Sequence, residues 1–260
     1  MNKYLELMRP RHLVGCALIF LMGAALFWRV NNYLNSNLIL GLIAFLLTYS
    51  SVYIYNNLMD IEYDKKHYVK WKKERPLPKG LISESTAKRV IITNLVIGLT
   101  ISFFINYATF MVNLGLFTLN FIYSAFRLKN NPKIGNIFII SSQFLKILNG
   151  WVVNSASING LPLTIPLLYA CIYGLLISIY KKKFFKSRGQ KRKYMLVLGL
   201  ITLSLIPASM IIYPTTTGFI NKVIILLVIG AVPLKVFSKD VNKYFNKGLK
   251  VNLIVNSIVF

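Results

Sequence analysis

Asn56-Asn57-Leu58-Met59-Asp60-Ile61-Glu62-Tyr63-Asp64 closes an apolar run at 37–58 and opens a basic loop at about 60–87. Three of the chain's seven acidic residues fall in its last five positions, against 31 Lys and Arg overall. After Glu84 a single acid remains, Asp240. An isolated acidic cluster at a membrane edge, among cations, suits a divalent metal. Asn56, Asp60 and Asp64 are spaced i, i+4, i+8, which on a helix sets them on one face with neighbours about 6 Å apart. The competing explanation is structural: an acidic helix end salt-bridged into a juxtamembrane loop. Spacing leaves both open, although carboxylates at a helix C-terminus oppose the macrodipole, which counts slightly against the second.

Outward from this stretch the chain is apolar. Apolar residues make up 55% of it and the mean hydropathy is +0.57, too high for an ordinary soluble domain. Long apolar runs recur, most of them of a length to cross a hydrocarbon core as a helix. They predict an all-α integral membrane protein of about nine transmembrane helices, at roughly 12–29, 37–58, 88–106, 108–126, 135–154, 162–180, 194–213, 219–237 and a short 249–260. The first run reads as a span rather than a signal peptide, since further spans follow it. No polar segment is long enough to bury a core of its own, so 1–260 reads as a single domain.

The charges orient this ladder. Lys and Arg collect before the first run and after the second, fourth, sixth and eighth: Arg9 and Arg11, 65–89, 127–133, 181–193 and 235–250. The opposite loops hold only Arg29 and Lys222. Positive residues favour the cytoplasmic side. A multi-pass protein of the cell membrane is expected, with the N-terminus and the acidic cluster cytosolic. The net charge of +24 then reflects topology and attraction to anionic membrane lipid. Nucleic acid is not an expected partner, because the cations are dispersed over membrane-flanking loops. Cys16 and Cys171 lie in apolar runs without metal-ligand spacing and read as packing residues.

Carboxylates at i and i+4 suit Mg2+, which keeps positions open for phosphate oxygens. The adjoining loop supplies Lys65, Lys66, His67, Lys70, Lys72, Lys73, Arg75 and Lys79. Metal and cations together describe a diphosphate site.

Here the sequence resembles a known family. Asn56 to Asp64 is similar to the first aspartate-rich motif, NDxxDxxxD, of the UbiA-type intramembrane prenyltransferase superfamily. Arg75-Pro76-Leu77-Pro78-Lys79-Gly80 resembles the RPxPxG that follows it there. The likeness includes Arg9-Pro10 upstream, and Tyr123-Ser124, Arg127-Leu128-Lys129 and Gly135-Asn136 downstream, in the family's order. It implies a nine-helix bundle around a central cavity, capped on the cytosolic side by loops at about 60–87 and 181–193. It also implies a Mg2+-dependent transferase that ionises an isoprenyl diphosphate and joins the prenyl group to an acceptor. By that resemblance Asn56, Asp60 and Asp64 are catalytic and hold metal and diphosphate. Arg9, Asn57, Lys70, Arg75, Tyr123, Arg127 and Lys129 are the implied substrate contacts. The Phe- and Tyr-rich helix interiors would take the isoprenoid tail, in surroundings dry enough for an allylic cation.

Two departures stand out. Asn57 occupies a position where the family usually has Asp. The region of the family's second aspartate-rich motif reads Tyr180-Lys181-Lys182-Lys183-Phe184-Phe185-Lys186-Ser187-Arg188-Gly189-Gln190-Lys191-Arg192-Lys193, without an acid. Three readings follow. The chain is a prenyltransferase in which cations such as Lys182 and Lys183 replace the second metal. It is a polyprenyl-phosphate phosphoribosyltransferase of the same superfamily, as Asp64, His67, Lys70 and Arg75-Pro76 partly echo. Or it is a non-catalytic paralogue that binds an isoprenoid or phospholipid. His67 reads as a base, a ribose contact or a solvated loop residue. Lys146 sits mid-span, where an unpaired charge is costly, and is expected to face the cavity and substrate with Asn149, Gly150 and Asn154.

Overall fold

The computed structural model describes residues 3–31, 33, 35–66, 75–180 and 197. Every helix or turn of helix in them alternates with short connections, and no strand occurs among the described residues. Helix α1 (Lys3–Met8) meets α2 (Pro10–Asn31) at Arg9, and α3 (Leu38–Met59) meets α4 (Ile61–Lys66) at Asp60. Then come α5 (Glu84–Ile105), α6 (Tyr107–Ala125), a 3-10 turn at Leu128–Asn130, α7 (Pro132–Ser155) and α8 (Thr164–Tyr180). The first six expected spans coincide with α2, α3, α5, α6, α7 and α8. The expected spans at 194–213, 219–237 and 249–260, and the basic segment 181–193, lie outside the described residues.

Local signals explain the boundaries. Pro10 opens α2, where its missing N–H costs nothing. The Ser83 side chain accepts from the Thr86 N–H at 3.1 Å and starts α5. Asn106 does the same for Thr109 at 2.7 Å, so one residue ends α5 and caps α6. Among the described residues four stretches are long and apolar enough to cross a membrane: Leu38–Met59, Glu84–Ile105, Tyr107–Ala125 and Lys133–Ser155. On α5 the exposed Ile92, Val96 and Phe103 share one face. Such an exposed apolar face suits lipid tails.

The chain divides into two compact units. The first comprises Met1–Leu128 with Leu148–Asn159; the second takes Lys129–Ile147 and, among the described residues, those from Gly160 onward. In the first unit α3 and α5 pack most extensively. Small residues let the backbones approach: a Cβ on Gly98 would fall 2.9 Å from the Ala44 carbonyl oxygen. Asn94 donates to Ser50 at 3.0 Å and Ser51 to the Ile91 carbonyl at 3.1 Å. This is how helices associate where lipid removes the hydrophobic drive: close contact and interhelical hydrogen bonds. A second polar layer ties the other end of the unit. Asn113 donates to Ser102 at 2.7 Å, Asn149 to Asn113 at 2.6 Å, and Asn106 to the Val152 carbonyl at 3.0 Å. In the second unit Asn136 donates to the Gly174 carbonyl at 3.1 Å, joining α7 to α8.

Candidate functional site

The quoted stretch 56–64 is nearly, but not wholly, one helix. Asp60 breaks it: its N–H is shared between the Asn57 and Leu58 carbonyls. The Asp64 N–H returns to the Asp60 carbonyl at 2.8 Å, so the helical register survives the break. The carboxylates of Asp60 and Asp64 both lie within electrostatic reach of Arg9. Glu62 points elsewhere: it is exposed and pairs with Lys65 at 2.8 Å. That hydrogen bond holds its carboxyl below the usual range. The third acid of the cluster therefore belongs to the surface.

Asp64 is 1% exposed and pairs with Arg75. The motif around Arg75 explains how that guanidinium is aimed. Pro76 and Leu77 are buried, and Leu77 and Ile82 join a core with Leu7, Ile54, Ile61, Ala87 and Ile91. Lys79 N–H bonds to the Arg75 carbonyl at 3.1 Å, Gly80 N–H to Leu77 at 2.9 Å and Leu81 N–H to Pro76 at 2.9 Å. Gly80 sits at φ 72°, a left-handed conformation that a Cβ would strain. The Pro-Leu-Pro-Lys-Gly run is thus a turn pinned to the helix core, holding Arg75 over Asp64.

Arg9 enters from the other side. It lies between α1 and α2 at φ 56°, uncommon for a residue with a side chain. The turn throws its guanidinium toward α3, where it donates to the Asn57 amide oxygen and lies 5.8 Å from the Tyr53 ring centroid. Burial, then the like charge of Arg75, lowers its pKa to about 10, with Tyr53, Asp64 and Asp60 opposing the shift. It stays protonated at neutral pH. Asn57 is 2% exposed, and its amide nitrogen faces the Leu7 carbonyl at 3.5 Å. It orients Arg9.

Asn56 turns toward α6, where its side-chain oxygen accepts from the Ser124 hydroxyl. Tyr123, next to Ser124, lies within electrostatic reach of Asp60. One region of the first unit therefore gathers Arg9, Asn56, Asn57, Asp60, Asp64, Arg75 and Tyr123, from positions as far apart as 9 and 123. Arg127 follows α6 exposed, at φ 49°. Lys129 and Lys146 belong to the second unit. Lys146 is 3% exposed and donates to Gln143 at 3.3 Å. Lys70, His67, Lys182 and Lys183 lie outside the described residues.

Polar residues near Lys146 also serve packing. Asn149 and Gly150 bind helices to each other. Asn149 donates to Asn113, and Gly150 abuts the Phe20 backbone carbonyl. Asn154 likewise bonds the Gly150 carbonyl at 2.8 Å and accepts from the Asn35 N–H at 2.8 Å. Sequence reasoning passed over Tyr53 and gave Ser124 no role beyond its place in the Tyr123-Ser124 motif. The signal for Tyr53 was its i−4 position from Asn57. Tyr53 begins a column of rings along α3, with Tyr49 at 5.1 Å and Phe45 a further 5.6 Å on, stacked on Phe20 at 5.2 Å.

The donor set suits Mg2+. It offers hard oxygens, and two carboxylates are the number Mg2+ takes when phosphates and water complete its shell. No group of three His, Cys, Asp or Glu gathers among the described residues, so the protein does not form a complete metal cage there. Asp60 and Asp64 would hold the ion. The Asn56 oxygen, engaged by Ser124, would have to exchange that partner to join them.

A family model described as the UbiA prenyltransferase family matches residues 16–247. The chain belongs to this family. By family it is an intramembrane prenyltransferase. Along its whole length it is 27% identical to a digeranylgeranylglyceryl phosphate synthase from Saccharolobus solfataricus, covering 96% of that protein. A homologous synthase from Sulfolobus acidocaldarius is 28% identical over 90% of this chain and 78% of its own. The fold matches the structure of a UbiA homologue from Archaeoglobus fulgidus bound to GPP and Mg2+, with TM-score 0.82 and 19% identity over 99% of this chain and 96% of that one.

Proposed function

We propose that this chain transfers a prenyl group from an isoprenyl diphosphate, bound with Mg2+, to the hydroxyl of a lipid bearing a glyceryl phosphate headgroup. The observation that carries this is the meeting of Asp60, Asp64, Arg9, Arg75 and Tyr123 in one unit. That is a hard-oxygen and guanidinium set suited to a metal diphosphate. The synthases of digeranylgeranylglyceryl phosphate that align with the chain support the acceptor class. The same relatives favour prenyl over phosphoribosyl transfer.

In this reading Arg9 and Arg75 take the diphosphate oxygens as the allylic C–O bond breaks and its electron pair leaves with the phosphate. Asp60 and Asp64 would hold Mg2+, which would supply Lewis-acid neutralisation of that leaving group. Tyr123 borders Asp60 and orients the diphosphate. The half-buried Tyr53 offers a ring face to the prenyl chain. The acceptor hydroxyl oxygen then bonds the allylic carbon, and its proton passes to the departed diphosphate. Lys129, Lys146, Arg127, Lys70, Lys182 and Lys183 remain proposed as substrate contacts on the strength of the family motifs and their charge. The architecture completing this site is one nine-helix transferase domain around a central cavity, its cap loops and N-terminus cytosolic.

The test offers purified protein geranylgeranyl diphosphate, Mg2+ and a geranylgeranylglyceryl phosphate, with product lipids read by mass spectrometry. The expected product carries a second prenyl chain, and chelation of Mg2+ removes it. Absence of that lipid, or of any prenylated lipid, with formation of a phosphoribosyl lipid from phosphoribosyl diphosphate and a polyprenyl phosphate, would overturn the reading.

A further inference from the structure

Among the described residues the charges that meet around Asp64 form a balanced set without any ligand. Asp60 and Asp64 both act on Arg9, and Arg75 pairs with Asp64, so these four formal charges sum to zero. Asp64 is buried and ion-paired with Arg75. Arg75 is itself only 15% exposed in its side chain and is held by a turn anchored through buried Pro76 and Leu77. Arg9, buried beside Arg75, is kept in place by Asn57. A divalent cation arriving alone must draw Asp64 from Arg75. That leaves two guanidiniums close together with two added positive charges, all poorly solvated. A diphosphate arriving alone must take Arg75 and leave Asp64 as an uncompensated buried carboxylate beside new anionic oxygens. Arriving together, they satisfy every group. The planar guanidinium of Arg75 suits bidentate phosphate binding as well as it suits a carboxylate. The released Asp64 meets the metal.

Resting on the diphosphate reading above, we propose that Arg75 is a positioning residue that couples metal to diphosphate. It occupies Asp64 until phosphate oxygens draw it away, so that the site takes Mg2+ and diphosphate as one unit rather than filling a standing metal site. The coupling is reciprocal: each ligand strengthens the other by the same factor. The site accordingly favours the metal-complexed diphosphate over either free component.

The experiment uses the full chain in detergent. Mn2+ binding is followed by the loss of its free-ion EPR signal. Binding of radiolabelled geranylgeranyl thiolodiphosphate, which resists ionisation, is followed at graded Mn2+, with the free Mn2+–diphosphate complex accounted for. In wild type, metal alone binds weakly, and each ligand raises the other's affinity at least tenfold. R75Q binds Mn2+ alone at least tenfold more tightly than wild type, because Asp64 is released, and its coupling factor falls toward one. R75K keeps a cation on Asp64 and holds metal-only affinity near the wild-type value. If R75Q does not fold, the wild-type coupling factor and R75K decide. Wild type with equal metal affinity in the presence and absence of the analogue would overturn the inference. So would R75Q with unchanged or weakened metal-only binding. Failure of the analogue to bind at any Mn2+ concentration would overturn the diphosphate reading beneath it.

Discussion

Asp60 and Asp64 carry the same chemistry in the sequence but not in the structure, and substitution should separate them. Asp64 is buried in an ion pair with Arg75, whereas Asp60 is half-buried at the helix break. Asp64→Ala removes the carboxylate that pairs with Arg75, next to Arg9. Removing one partner of a buried pair costs about 3–5 kcal/mol. Asp64→Asn keeps an oxygen for Arg75 but exchanges a charge-assisted hydrogen bond for a weaker one. With charge-assisted bonds contributing about 1.5–3 kcal/mol and neutral ones about 0.5–1.5, its cost is about 1–2 kcal/mol. Asp60→Asn removes a carboxylate without leaving a buried cation unpaired to the same degree, and stays within about 0.5 kcal/mol of wild type. All three lose prenyl transfer, because each removes a carboxylate proposed to hold Mg2+. Thermal unfolding of detergent-solubilised protein should therefore rank Asp60→Asn near wild type, then Asp64→Asn, then Asp64→Ala. If Asp64→Ala unfolds at the wild-type temperature while Asp60→Asn falls well below it, the Arg75–Asp64 pair is not the anchor argued here. Full transfer activity in Asp64→Asn would remove the basis for the metal site itself.

Gly80→Ala places a Cβ at φ 72°, which costs about 1 kcal/mol and loosens the turn that aims Arg75; KM for the diphosphate should rise several-fold, with thermal stability slightly lowered. Single cysteines at Lys72 and Gly189 should react with an impermeant thiol reagent only when the cytosolic side is opened, and labelling from the outer face would refute the proposed topology. Changing Lys181, Lys182 and Lys183 together to Gln should weaken diphosphate binding by roughly 100-fold or more if the three contact phosphate, since each such contact contributes about 1.5–3 kcal/mol. Unchanged affinity, measured without anionic lipid, would assign them to a membrane-surface belt.

The helices were legible because hydropathy and charge alternation are local and repeat along the chain. Six expected spans coincide with described helices to within a few residues, and Ser83, Asn106 and Pro10 mark their own boundaries. The resemblance also named the residues that meet around Asp60. Their division of labour was not legible. Spacing put Asn56, Asp60 and Asp64 on one face as equals. The break at Asp60 and the partners on other elements make one an α6 contact, one half-buried and one ion-paired. Nothing local in the sequence shows that Arg9 adopts a left-handed turn or that Arg75 returns to Asp64, because both depend on tertiary packing. Asn149 is a related case. A polar residue inside a membrane helix signals an obligatory hydrogen bond, and the sequence does not say whether a substrate or a neighbouring helix provides it. Here Asn113 does.

Asn57 shows how the two departures from the family pattern fit one electrostatic scheme. Its amide oxygen accepts from Arg9 while its nitrogen faces the Leu7 carbonyl. A carboxylate could accept from Arg9 but could not donate to Leu7, and it would neutralise the guanidinium it holds. With an amide there, Arg9 is oriented while its positive charge stays available to Asp60, Asp64 and an incoming phosphate. The segment 181–193 changes the balance in the same direction, by carrying cations and no acid. Both departures take negative charge from the protein, and in the proposed reading cations meet the diphosphate directly. Such a site would depend less on a second metal and more on guanidinium and ammonium groups, with Arg75 proposed to set their order of engagement. Asp introduced at position 57 would work against that scheme, pairing with Arg9 and competing with the diphosphate for it.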